Sequence, residues 1–253
     1  SGLDFAFALT RREIKGCIAT AIQLCQKQFS QNIAAAESLM QSAQSEITRR
    51  HMVDSQLRTN GITTAWIVKA MRELPRENFL PAGKEAFAYL DRSVPLSNGR
   101  MLNPPLATAE MLQIAEVSEN DNVLLIGAGT GYLAALLSGR VTKLVAVESD
   151  AELAAAARAN VAGLDVIEGD LSQGSKKDAP YSLIIIDGAI EQLPPAIEEQ
   201  LANRGRIVTG QAEGPVRRLA SGTKHGDHVS LRAFADIEVA SLPGFERAKE
   251  FVF

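Results

Sequence analysis

The chain carries little of the chemistry that marks secreted, metal-bound or membrane-embedded proteins. It has two cysteines, Cys17 and Cys25, eight positions apart in one helix-like segment. That gap is about two turns, too long to bridge within a straight helix. No CxxC and no Cys/His cluster is present, so neither a disulfide framework nor a zinc site is expected. The three histidines (His51, His225 and His228) flank no paired acids at metal spacing, and no metal ligand set is predicted. The net charge of −4 provides no global basic field, so neither a nucleic acid nor an anionic membrane is an expected partner. No apolar run approaches the roughly 20 residues needed to span a bilayer. The beginning of the chain lacks a basic stretch leading into an apolar core and cleavage site, so a cytoplasmic protein is expected.

What is present is enough apolar residue for a substantial core. With 253 residues, 46% hydrophobic and 22% charged, the composition fits one large domain or one domain with an appendage. Residues 1–50 look like the appendage, because they lack proline and are rich in Ala, Gln and Ser. Ile14, Cys17, Ile18, Ala21, Ile22, Leu24 and Cys25 recur at three-and-four spacing and predict an amphipathic helix. Such a helix would serve either as an extension packed on its own domain or as a partner-binding, possible oligomerising arm. Met52 stands where a natural start would, and His51–Met52 is also a common cloning junction. A helix is predicted from Thr64 to Leu74, capped by Thr63 or Thr64 and ended by Pro75, and another from Leu106 to Val117. Residues 51–118 thus form a helical and loop-rich region ahead of a domain spanning 119–253.

After Asn120 the pattern alternates. "NVLLIG", "KLVAVE", "LDVIEGD", "YSLIIIDGA" and "RIVTG" read as strands. Between them "TGYLAALLSG", "DAELAAAARANVAG" and "PPAIEEQLANRG" read as helices, with Asp150 a cap and Gly163 beyond a helix end. Short strands alternating with helices predict an α/β fold with a doubly wound, mostly parallel sheet and helices on both faces. The tail, "PVRRLASGTKHGDHVSLRAFADIEV", reads as two strands around a Gly/His/Asp turn that add antiparallel at the sheet edge.

In such a sheet a ligand lies beyond the carboxyl ends of the strands. Gly127, Gly129 and Gly131 occupy that place after the first strand. Their spacing is G-x-G-x-G, and Tyr132 fills the slot that a dinucleotide binder gives to Gly or Ala, which argues against NAD. Glu148, ending the second strand 21 residues after Gly127, is placed to accept hydrogen bonds from both hydroxyls of a ribose. Gly169–Asp170, ending the third, suits an adenine edge. The three together point to an adenosine cofactor.

The set "LLIGAGTGY", "AVESD" and "EGD" resembles the motifs of class I S-adenosylmethionine-dependent methyltransferases. The flanking segments "MVDSQLRTNGI…VKAMRELPRENFLP", "AYLDRSVPL" and "LATAEML" narrow the resemblance to the protein-L-isoaspartate O-methyltransferase family, from about Met52 onward. The resemblance implies a seven-stranded Rossmann-like methyltransferase sheet and S-adenosylmethionine held by Gly127, Gly129, Gly131, Tyr132, Glu148 and Asp170. It also implies methyl transfer to the free carboxylate of isoaspartyl residues in damaged proteins.

Two positions depart from the family pattern. The family loop Gly-Gln-Thr-Ile-Ser-x-Pro, whose hydroxyls approach the substrate carboxylate, is "GRMLNPP" here, with Met101 for the Thr and Asn103 for the Ser. Asn103 can still donate through its amide, and Arg100 offers a charge that could hold a carboxylate, although a loop arginine is as often simply solvated. After the fourth strand, Asp187 stands where the family has a small neutral residue. It would lie near the methyl-transfer crevice, as an anion opposing an anionic substrate or as a turn cap. Asn103, Arg100 and Asp187 are therefore the candidate catalytic residues. A methyltransferase of the same fold with another acceptor, or a cofactor-binding protein without this activity, would carry the same cofactor motifs.

Overall fold

The computed structural model describes residues 11–247, leaving out the side chains of residues 11–22 and of Cys25. The side chains of the predicted amphipathic stretch from Ile14 to Cys25, both cysteines included, thus lie outside the described part. The chain divides into two compact units, residues 1–47 and 48–253. Helix α1 (Arg11–Met52) makes up the first and supplies the opening turn of the second. In the first unit Leu24, Phe29, Ile33, Leu39, Met40 and Ile47 are all exposed.

The second unit begins with the end of α1, where Met52 and Val53 are buried. A wide π-type turn (Val53–Leu57) and a 3₁₀ turn (Arg58–Asn60) follow, stopped by Gly61 at φ +88°. Helix α2 (Ala65–Glu73) has Thr64 at its cap position, as its sequence predicts, although the threonine side chain makes no capping bond. Strands β1 (Val94–Pro95) and β2 (Met101–Leu102) form a small antiparallel hairpin, with Arg100 in its loop, Met101 in β2 and Asn103 just after it. Helix α3 (Pro105–Ile114) opens on a proline, whose missing N–H costs nothing at a first turn.

The core is one sheet built from β3 (Asn122–Ile126), β4 (Lys143–Glu148), β5 (Asp165–Glu168), β6 (Tyr181–Ile190), β7 (Leu201–Glu213), β8 (Val216–His225), the two-residue β9 (His228–Val229) and β10 (Arg232–Ala235). The main order is β10-β8-β7-β6-β3-β4-β5, with β9 pairing β8 off this path. Strands β5, β4, β3, β6 and β7 run parallel, and β8 and β10 add antiparallel. Seven strands therefore lie on the main path, and the tail folds back at Gly226–Asp227 to give β9 as an eighth.

Helices α4 (Tyr132–Leu137), α5 (Ala151–Asn160) and α6 (Pro195–Gln200) connect the strands. Because β3 and β6 are covered on both faces, they read as continuous apolar runs rather than alternating ones. Val123 and Leu125 join the large cluster that holds residues of α2, α3, α4 and α5. Leu124 and Ile126 join the smaller one, with Ile197 of α6 and with Leu242 and Phe245 from the C-terminal segment. At the head of α5, Asp150 accepts from the amides of Glu152 and Leu153 at 2.9 and 3.0 Å, as a cap should.

Two predicted helix ends are corrected, the first that of α3, which stops at Ile114 rather than Val117, with Glu116 at φ +48°. The helix read over "PPAIEEQLANRG" ends at Gln200, and Leu201 is already extended, paired with Tyr181. Gln200 is buried, and its side chain donates to Gln173 O and Ala196 O and accepts from the Ser175 amide. These contacts from the β5–β6 connection fix the stop, and the kink after it sets Arg204 at φ +62°.

The second unit needs the last turn of α1. Arg49 donates to Arg72 O at 2.7 Å and lies 3.9 Å from Glu77. A chain beginning at Thr48 should therefore melt with the second unit's full stability. One beginning at Met52 should lose about 1–3 kcal/mol through those buried contacts. Denaturant unfolding of the two decides this, and equal stabilities would deny Arg49 its part.

Candidate functional site

The carboxyl ends of β3, β4 and β6 meet under the β1–β2 loop, and the predicted site residues converge there. The turn after β3 carries Gly127, Gly129 and Gly131 at φ +82°, +54° and +93°. These left-handed values strain any residue with a Cβ. A Cβ on Gly131 would also press within 3.1 Å of the Ala157 backbone in α5, so this glycine sets the seat of one helix against another.

Glu148 ends β4 and has no exposed surface. One carboxylate oxygen accepts from the Gly129 amide at 2.7 Å. The other accepts from the amides of Ser149 and Asp150, at 2.8 and 3.1 Å, and forms an ion pair with Arg100. Arg100 is itself buried, 5% exposed, so the reading of this residue as a solvated loop arginine is corrected: its guanidinium is turned inward. Burying a carboxylate is tolerable here because three backbone donors and a cation replace its water.

Asn103 forms the second node. Its amide Nδ2 donates to Asp187 at 2.7 Å, and its Oδ1 accepts from the Ala240 backbone N–H at 2.8 Å. The Arg76 guanidinium donates to the Asn103 carbonyl. Arg76 is fully buried, its Nε and Nη1 make no hydrogen bond, and it lies 4.6 Å from the centre of the Tyr132 ring. Burial pushes the half-buried Asp187 carboxyl above its ordinary range, against the Asn103 hydrogen bond and the charges of Arg100 and Arg76.

Two residues sit otherwise than their expected roles imply. Tyr132 is spent on packing, edge-on to Phe79 at 5.3 Å and beneath Arg76. Asp170 is exposed, and its carboxylate accepts from Ser172 N and Oγ at 2.9 and 2.8 Å, capping the 3₁₀ turn Leu171–Gln173. Sequence reasoning overlooked Arg76 and the segment from Ala240 to Phe245. That segment hydrogen-bonds along the end of β6 through Ala189 N to Ala240 O (2.7 Å) and Leu242 N to Ala189 O (3.0 Å). Leu242 and Phe245 are buried. The Pro-Gly pair between them was the available signal, a turn flanked by two large apolar residues.

This geometry suits an adenosine cofactor chemically. Backbone without side chains faces a strand-end carboxylate, as recognition of a ribose and its neighbour requires. The atoms nearest a Cβ placed on Gly127 are side-chain ends, Leu242 Cδ2 at 3.0 Å and Arg100 Nη2 at 3.4 Å, rather than backbone. Room can therefore be made by turning side chains aside. Among the described residues no group of His, Cys, Asp and Glu could hold a metal, and no helix is long and apolar enough to cross a membrane.

A parallel β5-β4-β3-β6-β7 core with a glycine turn bonded to a strand-end glutamate defines the class of Rossmann-like, S-adenosylmethionine-dependent methyltransferases. The fold agrees with two solved structures. One is a protein-L-isoaspartate O-methyltransferase (TM-score 0.67, 21% identity, 78% of this chain and 67% of that one). The other is a beta-aspartate methyltransferase from Plasmodium falciparum in complex with S-adenosyl-L-homocysteine (TM-score 0.67, 18% identity, 78% of this chain and 98% of that one). Residues 47–238 match the protein-L-isoaspartate(D-aspartate) O-methyltransferase family, to which this chain belongs. Among its relatives, the protein-L-isoaspartate O-methyltransferase of Koribacter versatilis is 38% identical over 64% of this chain and 75% of its own. Protein-L-isoaspartate O-methyltransferase 1 of Rhodopseudomonas palustris is 34% identical over 78% of this chain and 84% of its own.

The raised Asp187 carboxyl has a consequence for stability. A carboxyl whose folded pKa lies above its unfolded value, about 3.9, loses stability for the fold as pH rises through that window. Asp187→Asn keeps an acceptor for Asn103 and removes the charge. Its melting temperature relative to wild type should therefore climb as pH rises from about 4 to 7. Thermal scans at several pH values check this, and a flat difference would refute it.

Proposed function

We infer that the protein transfers the methyl group of S-adenosylmethionine to the free carboxylate of isoaspartyl residues in damaged proteins. The observation that carries the reading is the convergence of Gly127–Gly131, Glu148, Asn103 and Asp187 at one set of strand ends, in a chain of this family. When bound, the cofactor supplies a methyl group on a positively charged sulfur, which makes a good leaving group. An acceptor carboxylate is already a nucleophile, so the protein's task is alignment and exclusion of water.

The glycine turn and Glu148 would hold the adenosine and its ribose. Asp170 stands at the end of β5, beside the expected adenine edge, while Tyr132 supports the turn from beneath. Asn103 uses one amide N–H on Asp187 and has a second to offer an acceptor oxygen. Arg76 and Arg100 set two positive charges against Asp187 and Glu148. Burial disfavours the anionic form of Asp187, and so reduces the repulsion of an anionic acceptor.

The expected partner is a protein or peptide bearing isoaspartate, met in the cytoplasm. The exposed Phe29, Ile33, Met40 and Ile47 repeat at four- and seven-residue spacing along α1, which supports a role for this helix in oligomer contacts.

The test uses S-adenosylmethionine with a labelled methyl group, an isoaspartyl peptide and its normal aspartyl twin. Label should enter the isoaspartyl peptide alone, as a base-labile ester. Cofactor binding without transfer to that peptide would move the protein to another acceptor. The triple substitution Met101→Thr, Asn103→Ser and Asp187→Gly restores the family pattern and should raise the rate on the order of ten- to a hundredfold, the worth of one hydrogen bond to a charged group. If the wild type and this variant both bind cofactor and both stay silent, the isoaspartyl assignment fails.

A further inference from the structure

Arg100 takes up the place on Glu148 that the cofactor's ribose would use. The glutamate's two oxygens already have four close partners, Gly129 N, Ser149 N, Asp150 N and the Arg100 guanidinium, with the Ser149 hydroxyl more distant at 3.5 Å. A carboxylate accepts about four hydrogen bonds, and this one is wholly buried. Three of the donors are backbone groups fixed by the strand-end turns. The fourth belongs to a long side chain on the β1–β2 loop, where the family pattern has a neutral glutamine. Arg100 Nη2 also lies 3.4 Å from where a Cβ of Gly127 would stand, over the open face of the turn. Arg100 is thus the charged partner of Glu148 that can leave, and it stands in the path of whatever approaches Gly127.

We propose that Arg100 is a substrate-positioning residue that changes partner during the cycle: cofactor binding displaces its guanidinium from Glu148, and the freed charge then holds the acceptor carboxylate. The proposal rests on the function inferred above. Its physical basis is charge balance. Arg76 and Arg100, two cations, share one cluster with the buried Glu148, while burial disfavours the anionic form of the neighbouring Asp187. Ribose hydroxyls on Glu148 would supply hydrogen bonds but no charge, leaving Arg100 an unneutralised cation in a desolvated crevice. An incoming carboxylate is the anion that completes the cluster, and a planar guanidinium can grip it with two parallel hydrogen bonds. A neutral acceptor would leave the cation unpaired, so the exchange favours carboxylates over amides or hydroxyls.

The prediction is a pair of effects of opposite sign on removing the charge. In the full-length chain, Arg100→Gln should bind S-adenosylhomocysteine about tenfold more tightly than wild type by titration calorimetry, since the ligand no longer competes with an ion pair. The same variant should show a KM for an isoaspartyl peptide raised about tenfold, with a smaller change in kcat. A merely structural arginine would weaken both. Arg100→Lys keeps a charge but loses the fork, and should fall between the two in both measurements. It carries the test if the glutamine variant does not melt cooperatively. Unchanged or weaker binding of S-adenosylhomocysteine by a folded variant overturns the proposal, and so does tighter binding with an unaltered KM. If neither wild type nor folded variant binds S-adenosylhomocysteine, the cofactor reading itself falls, a result distinct from failure of the exchange alone.

Discussion

The buried carboxylate of Glu148 holds the functional end of the sheet together. It bonds to the turn after β3 through the Gly129 amide, to its own turn into α5 through the Ser149 and Asp150 amides, and to the β1–β2 loop through Arg100. Three segments distant in sequence are thus fixed to one atom group in a water-free place. Each contact is short of compensation alone, because removing a carboxylate from water costs several kcal/mol. Taken together, the donors replace its hydration and bring the loop down onto the strand ends. This is why Arg100 and the glycine turn are buried although both belong to loops, where backbone and charge ordinarily face water.

Asn103 continues that arrangement toward the other side of the crevice. Its backbone carbonyl is held by Arg76, its amide nitrogen by Asp187 and its amide oxygen by Ala240 N. The segment from Ala240 to Phe245 is consequently tied to the same loop that Glu148 holds. Glu148 is thus linked to the Leu242 segment by way of Arg100, the loop and the partly buried bond from Ala240 N to Asn103. Networks of this kind tolerate few half-satisfied states, which favours discrete rearrangement over gradual loosening.

The architecture was legible because it rests on local signals. Apolar runs such as Val123–Ile126 and Leu183–Ile186 mark covered parallel strands, and Asp150 and Gly163 mark helix ends. The misplaced boundary at Gln200 follows from contacts to Gln173 and Ser175 that no local pattern expresses. The site divides along the same line. Glu148 and the three glycines are placed by their position after strands, which sequence reveals. The pairing of Arg100 with Glu148 spans 48 positions and that of Asn103 with Asp187 spans 84, so their partners appear only once the chain is folded. Arg76 gave no signal at all, since an arginine after a proline usually lies in solvent, whereas the fold seals it against Tyr132.

The structure also joins the loop change at Asn103 and the change at Asp187, which looked independent in sequence. They meet in one hydrogen bond of 2.7 Å. A serine at 103, one bond shorter and with a single polar atom, could not span from the loop to Asp187 while also receiving the Ala240 N–H. A small neutral residue at 187 would in turn leave the Asn103 amide without its acceptor. Each substitution supplies the partner that the other requires, so the pair is coherent where either alone would strand a polar group in a water-poor place. The loop has therefore exchanged a mobile hydroxyl for an amide fixed at both ends. An amide so held offers the acceptor carboxylate one N–H in a single direction, where a hydroxyl can turn to meet it, and the charge beside it must be controlled. Burial of Asp187, by disfavouring its anionic form, supplies that control.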